Sequence, residues 1–277
     1  MAGKLETTST LDDPESEVLA ILRESFGYEP AAGEVLYLRR RLREQVLGEG
    51  LETTRGLREK LLHDPGCRDR LYRRLSRPEK GMFDDADFYR GFLINIVPLL
   101  RTYPFIRIWQ IGCWTGEQVY AMAILLKESG LYDRCRLYAT DSDDAALRDA
   151  RAGTFDIDRL AGYEREYRAS GGHFSLRDYY KSQQGTGVFD PSLRRNMIFA
   201  QHNLMTDGVF NEFHVIVCRD LLSLFDPTVA MRVVDLLRGS LVRLGFLSLG
   251  ETEQAPGGES GMRYEQFGPA GTFRRIT

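Results

Sequence analysis

The sequence predicts an α/β protein in two parts, a small all-α domain followed by a larger domain on a mainly parallel sheet with a small inserted β-subdomain. Three observations carry that prediction. From residue 17 to about residue 75, apolar residues recur at helical spacing with no strand-like alternation. From residue 106 the pattern becomes strand, helix, strand, helix, which right-handed crossovers fold into a parallel sheet. Within that stretch, IRIWQIGCWTGEQVYAMAILLKESG (residues 106–130) joins a short apolar strand, a glycine turn and a helix in one unit.

The elements follow in chain order. Residues 1–16 are polar and acidic and are expected to be a disordered tail. Residues 17–78 form the helical domain: one helix starts at Val18, Leu19, Ile21 and Leu22, and a second runs along Val35, Leu36, Leu38, Leu42 and Val46 to Gly48 and Gly50. A third spans Thr54 to His63, the Asp64-Pro65-Gly66 signal stops it, and a fourth covers Cys67 to Leu75. A shift to Pro, Lys and Gly around Ser76–Gly81 marks the linker, and the second domain takes residues 79–277. A long helix from Phe88 leads to Tyr103-Pro104 and the strand IRIWQI; a helix over 118–129, the strand RLYATD and a helix from Asp144 to Ala152 follow.

The stretch from Gly153 to Arg195 breaks this rhythm, and about 156–195 is expected to be the inserted subdomain, with a hairpin turning at Gly185 to Gly187. The rhythm returns with the strands MIFAQHNL and FHVIVCRDLL, a helix from Pro227 to Leu241 and the strand FLSLG. The Gly-rich tail from Gln254 gives no pattern that assigns an element.

Composition bounds the function. A chain of 277 residues, 43% hydrophobic, has ample material for a core, and a net charge of −3 creates no global field that recruits nucleic acid. Four cysteines scattered without CxxC spacing, apart from four isolated histidines, argue against a metal site. No apolar run approaches a membrane span and the N-terminus lacks a leader pattern, so the chain is expected to be cytoplasmic with reduced thiols.

The strand–glycine–helix unit reads as a ligand site. Gly112 and Gly116 let the backbone approach a ligand closely, with Cys113 between them and Glu117 opening the helix. The next strand ends in Asp141, where a doubly wound fold grips a ribose by its hydroxyls; the adjacent Asp143 and Asp144 can cap the following helix instead. Together these point to an adenosyl-type ligand.

GCWTGE, ATD, AQHNL and VIVCRDLLSLFD, with MFDDADFYRGF upstream, stand in the order and spacing of one family. From about residue 20 to about residue 253 the chain resembles the chemotaxis receptor methyltransferases, the CheR family. The resemblance implies a Rossmann-like class I methyltransferase domain that binds S-adenosylmethionine, releases S-adenosylhomocysteine and methylates glutamate side chains of a receptor or signalling protein. It places Gly112, Cys113, Gly116 and Glu117 at the cofactor, Asp141 at the ribose, and Asn203 and Leu204 at the adenine. Arg90 and Arg219 match the arginines of the family's FFR and CRN motifs, where a guanidinium can orient the acceptor carboxylate, against the plain alternative of an intramolecular ion pair, for example with Asp84, Asp85 or Asp87. It also suggests that Arg39, Arg40, Arg41 and Arg43 dock an acidic methylation helix, against the plain alternative of a solvated helix face. His202 reads as structural.

The chain departs from the family at several positions. Trp114 replaces a small residue, Gln118 the second acid of GEE, Asp220 the asparagine of CRN, and Leu224 a tyrosine whose hydroxyl lies near the reacting methyl; Asp84 and Ala86 replace polar residues upstream. Besides a glutamate methyltransferase, the sequence therefore admits a weakened relative that binds the cofactor or its product and regulates a partner, or an enzyme with another acceptor.

Overall fold

The computed structural model describes residues 13–28, 35–75, 81–225, 227–251, 253 and 263–277. The first twelve residues of the expected tail, most of the linker and residues 254–262 of the Gly-rich tail lie outside these, as do the side chains of Arg40 and Leu224. The chain divides into two compact units, residues 1–79 and 80–277.

The first unit packs α1 (Asp13–Phe26), α2 (Val35–Gly48), α3 (Thr54–His63) and α4 (Pro65–Leu75) around Val18, Leu22, Leu42, Leu57, Leu61 and Leu71. Two sequence expectations are corrected here. The tail expected to reach residue 16 gives way at Asp13, because Asp13 and Glu15 put carboxylates in the first turn of α1, where the helix dipole favours them. The Asp64-Pro65-Gly66 signal both stops α3 and starts α4: Asp64 Oδ1 accepts from the Cys67 N–H at 3.1 Å, and Pro65 takes the first position, where its missing N–H costs nothing.

The four arginines of α2 do not form one exposed patch. Neighbouring helix positions point about 100° apart; Arg41 is buried, Arg39 pairs with Glu15 at 3.0 Å, and Arg43 is exposed.

The second unit opens with α5 (Ala86–Gly91), which passes through a π-helical turn at Phe92–Ile96 into α6 (Val97–Leu100). The single long helix expected here is thus interrupted just before Pro98, which cannot donate to the carbonyl four residues back. There follow β1 (Ile106–Ile111), α7 (Glu117–Glu128), β2 (Cys135–Asp141) and α8 (Asp144–Ala152), and the insertion of β3 (Thr154–Asp156), α9 (Ile157–Gly162), α10 (Glu164–Ala169), β4 (Tyr180–Gln183) and β5 (Thr186–Phe189). The chain closes with β6 (Met197–Gln201), β7 (Phe213–Cys218), α11 (Pro227–Ser240), β8 (Leu241–Leu249), β9 (Tyr264–Gln266) and β10 (Thr272–Arg275).

The main sheet runs β6-β2-β1-β7-β8-β10-β9; its first five strands are parallel, and β10 and β9 are antiparallel additions. β1 is central and feeds both faces, Ile106 and Ile108 into one apolar cluster, Trp109 and Ile111 into the other. Strand order reverses beside β1, which pairs with β2 on one side and β7 on the other, so the crevice for a ligand falls at their carboxyl ends.

The insertion begins at Thr154, slightly before the expected 156, and forms its own antiparallel sheet, β3-β5-β4. Its hairpin turns at Gln184 (φ 47°) and Gly185 (φ 80°), the two-residue geometry that matches strand twist, while Gly187 pairs inside β5.

Candidate functional site

The predicted cofactor residues meet at a loop between β1 and α7. Gly112 (φ 65°), Trp114 (φ 49°) and Gly116 (φ 96°) turn the chain through left-handed conformations. Glycine adopts these freely, whereas a residue with a Cβ is strained there by about 1–2 kcal/mol. Hydrogen bonds to the end of β2 hold the loop: the Cys113 N–H donates to the Thr140 carbonyl at 3.0 Å and the Trp114 N–H to Asp141 Oδ2 at 3.0 Å. Asp141 is 2% exposed, and its Oδ1 accepts from the Asp143 N–H at 3.0 Å. Asp143 performs the capping that could have occupied Asp141, its Oδ1 accepting from the Ala146 N–H at 3.3 Å.

Glu117 begins α7 and is buried, with Oε2 accepting from Thr115 Oγ1 at 2.5 Å and Oε1 lying 3.6 Å from Arg159 Nη2. Beside it opens a pocket of about 370 Å³, lined among others by Thr115, Glu117, Asp156, Arg159 and Tyr163. Arg159 also donates to the Tyr163 hydroxyl at 3.0 Å, and burial raises the phenol pKa above its ordinary value. Neither Arg159 nor Tyr163 was singled out from the sequence. Both belong to the insertion, and only its folding back against α7 puts them beside Glu117. Gln118 pairs with Gln110 of β1 at 3.4 Å, so a neutral amide pair stands where the family carries a second acid.

The turn after β6 abuts Asp141 through the His202 N–H, which donates to the Asp141 carbonyl at 3.0 Å. Asn203 has the geometry of a turn residue, its Oδ1 accepting from the Met205 N–H at 3.0 Å and its own N–H donating to Asp207 Oδ2 at 2.8 Å. Leu204 is buried with Trp109 and Ile111, and the His202 ring stacks edge-on against Trp109 at 5.4 Å.

Across the crevice, a Cβ built on Gly112 would touch Leu221 at 3.6 Å, which sets the loop after β7 opposite the glycine loop. Arg219 lies in that loop with both terminal nitrogens committed to intramolecular partners. Nη2 pairs with Asp85 at 2.5 Å, Nη1 donates to the carbonyls of Leu249 at 2.9 Å and Ala270 at 3.2 Å, and the guanidinium lies 4.8 Å over the Phe88 ring. Arg90, one turn along α5, is half-exposed and pairs with Asp87. Asp220 sits at φ 55°, a conformation that aspartate and asparagine tolerate better than most residues, so the exchange of asparagine for aspartate keeps the backbone's requirement. Glu253 clamps the same loop, accepting from the N–H groups of Asp220 at 3.3 Å, Ser223 at 3.2 Å and Gly250 at 2.6 Å.

A glycine loop tied to an acid at the carboxyl edge of a parallel sheet defines a nucleoside-binding α/β protein. The comparisons narrow the class. The family model of the CheR methyltransferase SAM-binding domain matches residues 85–267. "Putative methyltransferase Cher3" of Pseudomonas putida is 40% identical over 224 residues, 80% of this chain and 82% of that one. A "Chemotaxis protein methyltransferase" of Listeria innocua is 28% identical over 149 residues, so the chain spans 54% of that relative's length. The N-methyltransferase NodS of Bradyrhizobium japonicum is a distant likeness, with a TM-score of 0.37 and 16% identity over 70% of this chain and 99% of that one. The chain belongs to the CheR methyltransferase family, a family of methyltransferases whose cofactor is S-adenosylmethionine. Among the described residues, no helix is long and apolar enough to cross a membrane.

Proposed function

We propose that this protein transfers the methyl group of S-adenosylmethionine to glutamate side chains of a chemoreceptor-like signalling protein. One observation carries the reading: in the loop Gly112–Gly116 the Trp114 N–H is bonded to the buried Asp141 and the Thr115 hydroxyl to the buried Glu117, and Thr115 and Glu117 line an open pocket. The donor set suits the cofactor. Asp141 offers carboxylate acceptors for the ribose hydroxyls, the glycines allow close backbone approach, and Glu117 offers an anion for the ammonium of the methionine end. The turn at Asn203 and Leu204 borders the adenine end.

When bound, the cofactor supplies an electrophilic methyl group on a sulfonium. An acceptor carboxylate is already ionised, so no side chain has to remove a proton, and what the protein contributes is alignment and exclusion of water. Arg90 orients the acceptor carboxylate, exchanging Asp87 for it on a half-exposed surface. Arg219 acts as a positioning residue, tying α5 to the sheet through Asp85 and Phe88. Among the described side chains of the expected docking set, Arg43 is the exposed one. The protein acts in the cytoplasm, on the cytoplasmic segments of its partner.

Incubation with labelled S-adenosylmethionine and receptor fragments tests this. The expected result is a base-labile label on glutamate that is lost in Arg90→Ala while S-adenosylhomocysteine binding is kept. Cofactor binding with no transfer to any fragment would refute the glutamate assignment and leave a cofactor-binding regulator.

A further inference from the structure

We infer that the open face of β6 and β2 seats an amphipathic helix from a partner protein, lying antiparallel to the strands with its apolar side down and carboxylates in its last turn beside Arg107 and Arg136. The inference stands apart from the donor-site reading. A parallel sheet is normally buried on both faces, because its crossovers lay helices over them. Here α7 and α8 join the apolar cluster on one face, and among the described residues α11 is the only α-helix that joins the cluster on the other. The crossover from β6 to β7 runs over that second face, and its residues 202–212 contain no helix. Its Val209 borders α11, 3.0 Å from a Cβ built on Gly239, and its Phe210 ring stands against Trp109 at 5.0 Å and Tyr138 at 6.3 Å. Beyond Tyr138 the face opens to solvent. Ile198 of β6 is the register neighbour of Tyr138 and points the same way, since Met197 and Leu137 both enter the opposite cluster. Ile198 is 40% exposed and Phe210 45%. A helix about 10 Å across covers two strands about 4.8 Å apart, so β6 and β2 offer the width of one helix with Phe210 as its wall.

Charge sets the chemistry and the direction of the occupant. Arg107 and Arg136 are register neighbours near the amino edge of the same face. Arg107 donates to the Glu212 carbonyl and Arg136 to Asn196 Oδ1, both neutral oxygens, and among the described residues neither guanidinium pairs with a carboxylate. Other arginines of this unit do: Arg148 pairs with Asp144, Arg168 with Glu164, and Arg195 with the nearby Asp133. A helix running antiparallel to the strands brings its carboxyl end, the negative end of its dipole, to the amino edge. There it meets two cations that no acid of this chain neutralises, and carboxylates in its last turn complete the match. The crevice lies at the opposite ends of the strands, so the seated helix leaves it free.

Fluorescence anisotropy on the full chain tests this with two labelled synthetic helices of about 18 residues, identical in their leucine stripe and ending in a turn that carries either glutamates or lysines. The unaltered protein is expected to bind the glutamate probe about tenfold or more tightly than the lysine probe, and Arg136→Glu to reverse that preference. Ile198→Asp, which puts a charge in the apolar seat, is expected to weaken both probes by about tenfold or more. A melting temperature within about 3 °C of the parent's shows that each variant keeps its fold, and the preference of the unaltered protein decides without either variant. Equal affinity for the two probes, or a preference that Arg136→Glu leaves unchanged, overturns the inference. A dimer in sedimentation equilibrium that Ile198→Asp dissociates also overturns it, by giving the seat to a second copy of this chain.

Discussion

Asp141→Asn changes one atom and separates the two functions given to this carboxylate. In the native side chain, Oδ2 accepts from the Trp114 N–H and Oδ1 from the Asp143 N–H, each at 3.0 Å, with the residue 2% exposed. Asparagine keeps one oxygen and places an amide nitrogen where the other stood, so one of those N–H groups faces a donor. A hydrogen bond to a charged acceptor contributes about 1.5–3 kcal/mol, so the expected loss is about 2–3 kcal/mol, counting the weaker neutral bond that remains. In a unit the size of residues 80–277 this lowers the melting temperature by roughly 4–12 °C. S-adenosylhomocysteine stabilises the native protein by mass action, and loss of an oriented ribose acceptor should weaken it about 10- to 100-fold. Thermal denaturation with and without ligand reads both effects. A melting temperature within about 1 °C of the unaltered protein would refute the anchoring of the Trp114 loop, and an unchanged ligand-induced shift would refute the ribose contact.

Two further outcomes concern stability. Arg219→Met should destabilise the second unit by about 2 kcal/mol by stranding Asp85, and adding Asp85→Asn should recover much of that; urea unfolding of the singles and the double gives the coupling, and additive losses would remove the proposed tie. In the first unit, Glu49 is held at a pKa of about 2 by hydrogen bonds from Arg70 and Lys60. Because its folded pKa is depressed, this stabilisation is present above the ordinary value of 4.5 and lost as pH falls from there through about 2. Arg70 is half-exposed, so the contribution discounts to about 1 kcal/mol. Glu49→Gln should flatten that part of the stability-versus-pH curve, followed by circular dichroism, and a curve identical to the parent's would refute it.

What could be read from the sequence was local. The helices of the first unit bury one face and show helical spacing, whereas β1, β2 and β7 are largely buried on both faces and stand out as short apolar runs. β9 and β10 escaped because a three-residue and a four-residue strand following a Gly-rich stretch carry too few apolar positions to form a pattern. Asp141 and Glu117 were legible because each lies next to a strand or helix end that the sequence itself marks. Arg41 illustrates the opposite case: in sequence it belongs to a run of basic residues, and only the packing of α2 shows it buried beside an exposed Arg43.

The sequence by itself determined the order of elements, the glycine loop and the acid that closes the second strand, because backbone conformation and hydrogen-bond chemistry act over a few residues. The tertiary structure decided which charges face one another. It committed Arg219 to Asp85, gave helix capping to Asp143 and so left Asp141 to hold the Trp114 loop, and set Arg159 of the insertion across from Glu117. Those pairings join residues far apart in the chain, and electrostatic attraction depends on distance in space, which no local pattern encodes.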